Sequence, residues 1–310
     1  MVRWVRGTVW VALLTVACIA AAGLVLALDH PPTDASRPEL TARAASILAP
    51  RLAAIDAPLG RLGVAAGSLA SAGRDTLVRL RALDASGASA SISAGKTALV
   101  ELTRAAEEAR ALAPGLLQGI DGSRLPVVDQ ARLAAIDGAL AGVDGIVAAW
   151  ADIERVASAP TGLLNALDRH DDALARAVAG GRAERFPDAL DALAGASEAL
   201  AEATAIGDGA SAAGREVAAL DGWLLPLADY DGALGALYSR LDKAGSVLTP
   251  AVESALAAVH AAHAALPPTR DALVIAVMDL GGGDITLGLL AIDDAHGAIE
   301  AALGPDRAPG

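Results

Sequence analysis

Apolar residues recur along this chain at steps of three and four, and that spacing constrains the fold more than any other feature. Ile55, Leu59, Leu62, Ala66, Leu69, Gly73 and Leu80 form one such series. Leu99, Leu102, Ala106, Ala109, Ala113 and Leu116 continue in kind, as do Leu133, Ile136, Leu140, Val143, Val147 and Trp150. Further stripes run through Leu190, Leu193 and Leu200, then Leu220 to Leu241, then Val252, Leu256, Val259, His263 and Leu266. Residues spaced this way share one face of a helix, whereas strands need strict alternation. The stripes are narrow and hold near a 3.5-residue period. They predict an all-α fold: an elongated antiparallel helical bundle with coiled-coil-like packing over residues 39–303, in one bundle or two. Alanine richness fits, since alanine is the best helix former.

Corners are expected where glycine and proline interrupt the stripes. These are 113–117 with 121–126, "SAPTG" at 158–162, "AGGRAERFP" at 179–187, Pro226, "LTP" at 248–250 and "LPPT" at 266–269. Pro50 and Pro58 lie inside one periodic stretch and are expected to kink it. The string "RLAAID" occurs at 51–56 and again at 132–137. Coincidence in an Ala- and Leu-rich chain is favoured over a duplicated hairpin, because true repeats show sustained self-similarity.

A different signal stands at the N-terminus. No charged residue occurs from Gly7 through Leu28. A helix of about 20 apolar residues spans a bilayer core. Arg3 and Arg6 precede the run, and Asp29, Asp34 and Glu39 follow it, so the positive-inside rule leaves the N-terminus in the cytoplasm. The expected layout is a cytoplasmic tail at 1–8, a transmembrane anchor at 9–28, a Pro-rich linker at 29–38 and a disordered tail at 304–310. The competing reading is a signal peptide cut after Ala22 or Ala27, and the length of the apolar run favours the retained anchor. Both readings export the rest of the chain.

Composition removes several function classes. The formal net charge is −13, opposite in sign to the basic patches that nucleic-acid binding requires. It also opposes adhesion to anionic headgroups. Cys18 is the only cysteine and lies in the apolar run, so helix packing rather than disulfides must hold the exported part.

Motifs that carry chemistry are sparse. "ASISAGKT" at 90–97 approaches a phosphate-loop pattern, and "LVIAVMD" at 273–279 resembles a strand ending in a magnesium-binding Asp. The charged, helical "VRLRALDASG" precedes the first, where a buried strand is required, so an ATPase is rejected in favour of a flexible turn at "SGASASISAGK". The second is expected to be a short helix that ends at Gly281, with Asp284 capping the next. No nucleophile motif is present, and the chain is expected not to be an enzyme and to need no cofactor. His260 and His263, three residues apart, are the weak metal-ligand candidates, with His263 read as a core residue on the apolar stripe. "LDRHDD" at 167–172 is read as a solvated face. Trp223, Tyr230 and Tyr238 are a candidate interaction patch, although core filling at helical spacing is the favoured reading. The expected function is that of an anchored envelope scaffold or accessory subunit. It would contact another envelope protein or itself, and the alternative is a helical ligand- or metal-binding protein.

Overall fold

The computed structural model describes residues 38–245 and 248–304. The expected tail, anchor and most of the linker lie outside these residues, as does the tail after Gly304. Among the described residues the chain forms seven α-helices and one 3-10 turn, with no strand. We number them α1 (Pro38–Arg81), α2 (Ala85–Leu116), α3 (Val127–Arg182), α4 (Phe186–Ala212), α5 (Ala218–Ala244), α6 (Pro250–Ala265) and α7 (Asp271–Leu303). The 3-10 turn, Gly122–Arg124, lies between α2 and α3.

Four segments pack side by side at one end: α1, α2, the first half of α3 and the second half of α7. Their directions alternate. Arg61 pairs with Glu108 and Arg79 with Asp84, and Arg74 pairs with Asp293 while Gly63 lies beside Ile299, so α2 and α7 both run against α1. Lys96 meets Glu154 at 2.6 Å, which sets α2 against α3. At the other end the second half of α3 packs on α4, α4 on α5, and α5 on α6 and the start of α7. One continuous core runs from Leu48 to Leu303, and a smaller cluster around Phe186, Leu237, Tyr238 and Val259 fills the far end.

Caps explain several helix starts. Asp84 accepts from the Gly87 N–H at 2.7 Å to open α2, and the Thr249 hydroxyl accepts from the Val252 N–H to open α6. The corners near 117–126, 183–185, 248–249 and 266–270 fall where glycine and proline indicated.

Other expected corners are absent. The chain passes Pro160 within α3 and Pro226 within α5 without leaving the helix. Residues 85–98 are helix throughout, so the turn expected at "SGASASISAGK" is confined to 82–84. Gly281 does not end a helix, because α7 continues through it to Leu303. Packing supplies the reason. A Cβ built on Gly281 would lie 2.8 Å from Val156 Cγ1 and 3.1 Å from the Val156 carbonyl oxygen. That carbonyl is the one whose helical donor Pro160 removes. The proline and the glycine therefore mark where α3 and α7 touch, not where either stops.

α3 and α7 are also the two described helices long and apolar enough, by length and composition, to cross a membrane. Here they lie against each other, with Gly288 on Ile153 and Gly281 on Val156, and serve as the spine shared by both ends of the molecule.

Candidate functional site

Two places concentrate polar side chains at the core. The first is a cleft of about 910 Å³ where α1, the start of α3 and the end of α7 meet. Its walls are small: Ala45, Ala49 and Ala53 on α1 face Ala131 and Ala135 on α3. At its base Arg132 Nη2 donates to Asp56 Oδ1. Both residues belong to the repeated "RLAAID" string, so the fold brings the aspartate of one copy to the arginine of the other. Arg132 Nε is buried and has no hydrogen-bond partner among the described residues. Arg51, from the first copy, reaches the other way. Its Nη1 donates to the carbonyls of Gly115, Leu116 and Gln118 at 3.0, 3.1 and 2.7 Å, closing the end of α2. Helix ends leave such carbonyls without intrahelical donors, and a guanidinium satisfies several at once.

The second place is His170, whose side chain is wholly buried between α3 and α5. Its Nε2 donates to Asp231 Oδ2 at 3.0 Å and its Nδ1 to Asp171 Oδ1 at 3.1 Å. Arg270, at the start of α7, stands 3.6 Å from the other Asp171 oxygen. Burial alone would push the imidazole pKa down. Hydrogen bonds to Asp171 and Asp231, with their negative charges, outweigh it and raise the pKa to about 9. The buried imidazolium bonds the buried Asp231 of α5 and the exposed Asp171 of its own helix, so it ties α3 to α5. Its zero exposure and its bond to Asp231 across the helix interface support a structural latch. The pKa of nearby Asp168, an exposed residue, is raised by partial desolvation and by the charges of Asp171 and Asp172.

Sequence reasoning misses this cluster because "LDRHDD" reads as a solvated face. Asp168, Asp171 and Asp172 are exposed, but His170 points inward. A signal was available. His170 follows Leu163 and Leu167 at helical spacing, and Asp231 stands between Leu227 and Leu234 on the buried stripe of α5. Charged residues on an apolar stripe ask for a partner, and here each supplies the other.

The other candidates fall elsewhere. His260 and His263 lie on the outer side of α6, so His263 is not the core residue expected; its ring meets Tyr230 edge-on at 5.7 Å. Among the described residues no three His, Cys, Asp or Glu side chains gather as metal ligands would. Trp223, Tyr230 and Tyr238 do not form one surface. Trp223 packs on the main core, while Tyr238 is buried in the far cluster against Phe186. The "ASISAGKT" segment is helical, and Gly95 within it serves packing. A Cβ there would stand 2.0 Å from the Trp150 ring, which is fully buried. Asp279, the last residue of "LVIAVMD", lies within α7.

No family model, no curated protein and no solved structure matches this chain.

Proposed function

We propose that this chain is a single-pass, membrane-anchored extracytoplasmic protein that works as an envelope scaffold or accessory subunit through protein–protein contacts. The observation that carries the reading is α3. Its 56 residues run unbroken through both ends of the molecule, a span of roughly 84 Å at the standard helical rise. A spine of that length, braced by α7, holds surfaces at fixed separation, which is what a scaffold must do. Exposed Val64, Val78, Val100, Leu287 and Leu290 supply apolar points for contact at one end of that rod, and Leu225, Leu256 and Ile275 at the other. The uncharged run from Gly7 to Leu28 supports the anchor.

The test uses the full chain with a C-terminal tag. Membranes are washed at alkaline pH and the intact mass is measured. An uncut chain in the pellet agrees with the anchor; a soluble product starting near Gly23 or Leu28 refutes it. A photo-crosslinking side chain placed at Val64 or Leu287 should then join a discrete partner in living cells. Absence of any adduct at all such positions refutes the scaffold.

The cleft beside Arg132 favours a second reading, a helical ligand-binding protein. A ligand for it should raise the melting temperature of the purified chain, as linkage requires. Flat melts across a broad small-molecule and metal screen refute that reading.

A further inference from the structure

Four helices begin or end at one level of the molecule, and only α3 and α7 pass through it. Gly63 lies beside Ile299 and Gly73 beside Leu289, an antiparallel register that puts Arg81, the last residue of α1, level with Gly281. α2 starts just after that corner, at Ala85. Gly195 lies beside Ala173 and Gly162 beside Ile206, a register that puts Ala212, the last residue of α4, level with Val156. α5 starts beside that end, where Leu220 meets Gly207. Val156 in turn touches Gly281, so all of these share one height. Among the described residues α1 and α2 make no more than marginal contact with α4, α5 or α6.

Both crossing helices are weakened at that height. Pro160 removes the helical donor of the Val156 carbonyl, and next to it the Thr161 hydroxyl is buried with no partner among the described residues. α7 carries Gly281, Gly282 and Gly283 in succession, and glycine is the poorest helix former after proline. Packing asks for the first of the three, which admits Val156. It does not ask for the third, since a Cβ on Gly283 would meet nothing within 4 Å. One turn on, the Thr286 hydroxyl donates to the Gly282 carbonyl at 2.8 Å, a bond of a kind that bends helices.

A splint covers the weak stretch. Arg215, in the corner between α4 and α5, reaches α7 with both terminal nitrogens. Its Nη1 donates to the Leu280 carbonyl, and its Nη2 donates to Asp284 Oδ2 at 2.6 Å. Leu280 and Asp284 bracket the three glycines. Beside the splint is a cleft of about 450 Å³, walled by Val156 and Ala159 on α3 and by Ile206, Gly209 and Arg215 across from them. The rod has room to close on that side.

We infer that this level is a splinted hinge: Arg215 holds the two ends at one angle, and its release lets the rod bend at Pro160 and Gly281–Gly283 toward the cleft. Hinges are a few residues that absorb the backbone change while the bodies on either side stay rigid. The hinge bears on the scaffold reading, because one side chain then sets the angle of the spine. It does not rest on the anchor or on any partner, since the bend is read within a single chain.

Pulsed electron–electron double resonance on the full chain in mild detergent tests it. In a Cys18→Ser background, nitroxide labels go on Ala148→Cys and Glu198→Cys. These are exposed positions on opposite sides of the hinge, two turns from Arg155 and Ala205 of the cleft and on the same helix faces. A control pair, Ala148→Cys with Val128→Cys, lies wholly on one side. With Arg215 in place each pair should give one narrow distance. Arg215→Ala should shorten the first distance and broaden its distribution about twofold, and should leave the control unchanged. Adding Gly283→Ala, which the open space there accepts, should reverse about half of that broadening or more. Asp284→Ala removes one arm of the splint at an exposed position and should act in the same direction, so the hinge is still tested where Arg215→Ala does not fold. An unchanged first distance in either folded variant, equal broadening of the control, or no recovery with Gly283→Ala overturns the hinge.

Discussion

Replacing His170 with alanine should destabilise the whole chain, with a pH signature that identifies the cause. In the folded protein the imidazolium is wholly buried and bonds Asp231, which is only 5% exposed and has its Oδ1 already without a partner. Deleting the cation leaves a buried carboxylate with no compensation, a loss that costs about 3–5 kcal/mol. The raised pKa expresses the same contact as a preference for the charged form. A rise from 6.5 to about 9 corresponds to roughly 3 kcal/mol of preference for the charged form in the folded state. Because the folded value is raised, this contribution is fully present below about pH 6.5. It declines as pH climbs and is gone above about 9. Urea unfolding of the full chain in mild detergent, followed by far-ultraviolet circular dichroism, measures both effects. Wild type should lose stability between pH 6.5 and 9, and His170→Ala should start lower and lack that slope. The companion double variant His170→Phe, Asp231→Leu removes both charges and should recover most of the loss, since apolar replacement of a buried pair is often neutral or better. A loss below about 1 kcal/mol for His170→Ala, or an unchanged slope in that variant, would refute the latch.

Two further substitutions test the packing and the helix ends. Gly95→Val should cost about 3 kcal/mol or more, seen as a large fall in melting temperature, because its Cβ would stand 2.0 Å from a fully buried tryptophan ring; a melting temperature within error of wild type would contradict the contact. Arg51→Ala should cost about 1–3 kcal/mol, because the Gly115, Leu116 and Gln118 carbonyls lose a shared charged donor. Hydrogen exchange in that variant should speed up at the end of α2 before it does in α3, and uniform protection would contradict the cap.

Much of the architecture is legible in the sequence because it depends on local periodicity. Leu59, Leu62, Leu69 and Leu80 share one helix face whatever they pack against, and all four are buried. Thr249 with Pro250, and the prolines at 267–268, are punctuation that acts within a few residues, and they fall at helix boundaries. The misplaced corners share a cause. Pro160, Pro226 and Gly281 are local helix breakers, and nothing within their own segments shows that a neighbouring helix will hold the chain in line. At Gly281 the glycine is there to admit Val156, a residue 125 positions away.

The functional residues divide along the same line. The amino-acid sequence by itself determined that the chain is helical, acidic, without cysteine beyond Cys18, and preceded by an apolar run of bilayer length. Each is a property of composition or of short-range spacing. It could not say that Asp56 and Arg132, in two identical six-residue strings, would meet, or that His170 would be charged in the interior beside Asp231. Those pairings depend on which helices become neighbours and at what height. Neighbourhood follows from the length of each helix and the place where it stops. The cleft lined by Ala49, Asp56, Arg132 and Leu303 is decided in the same way: its walls come from three helices far apart in the sequence, and only the assembled bundle brings them together.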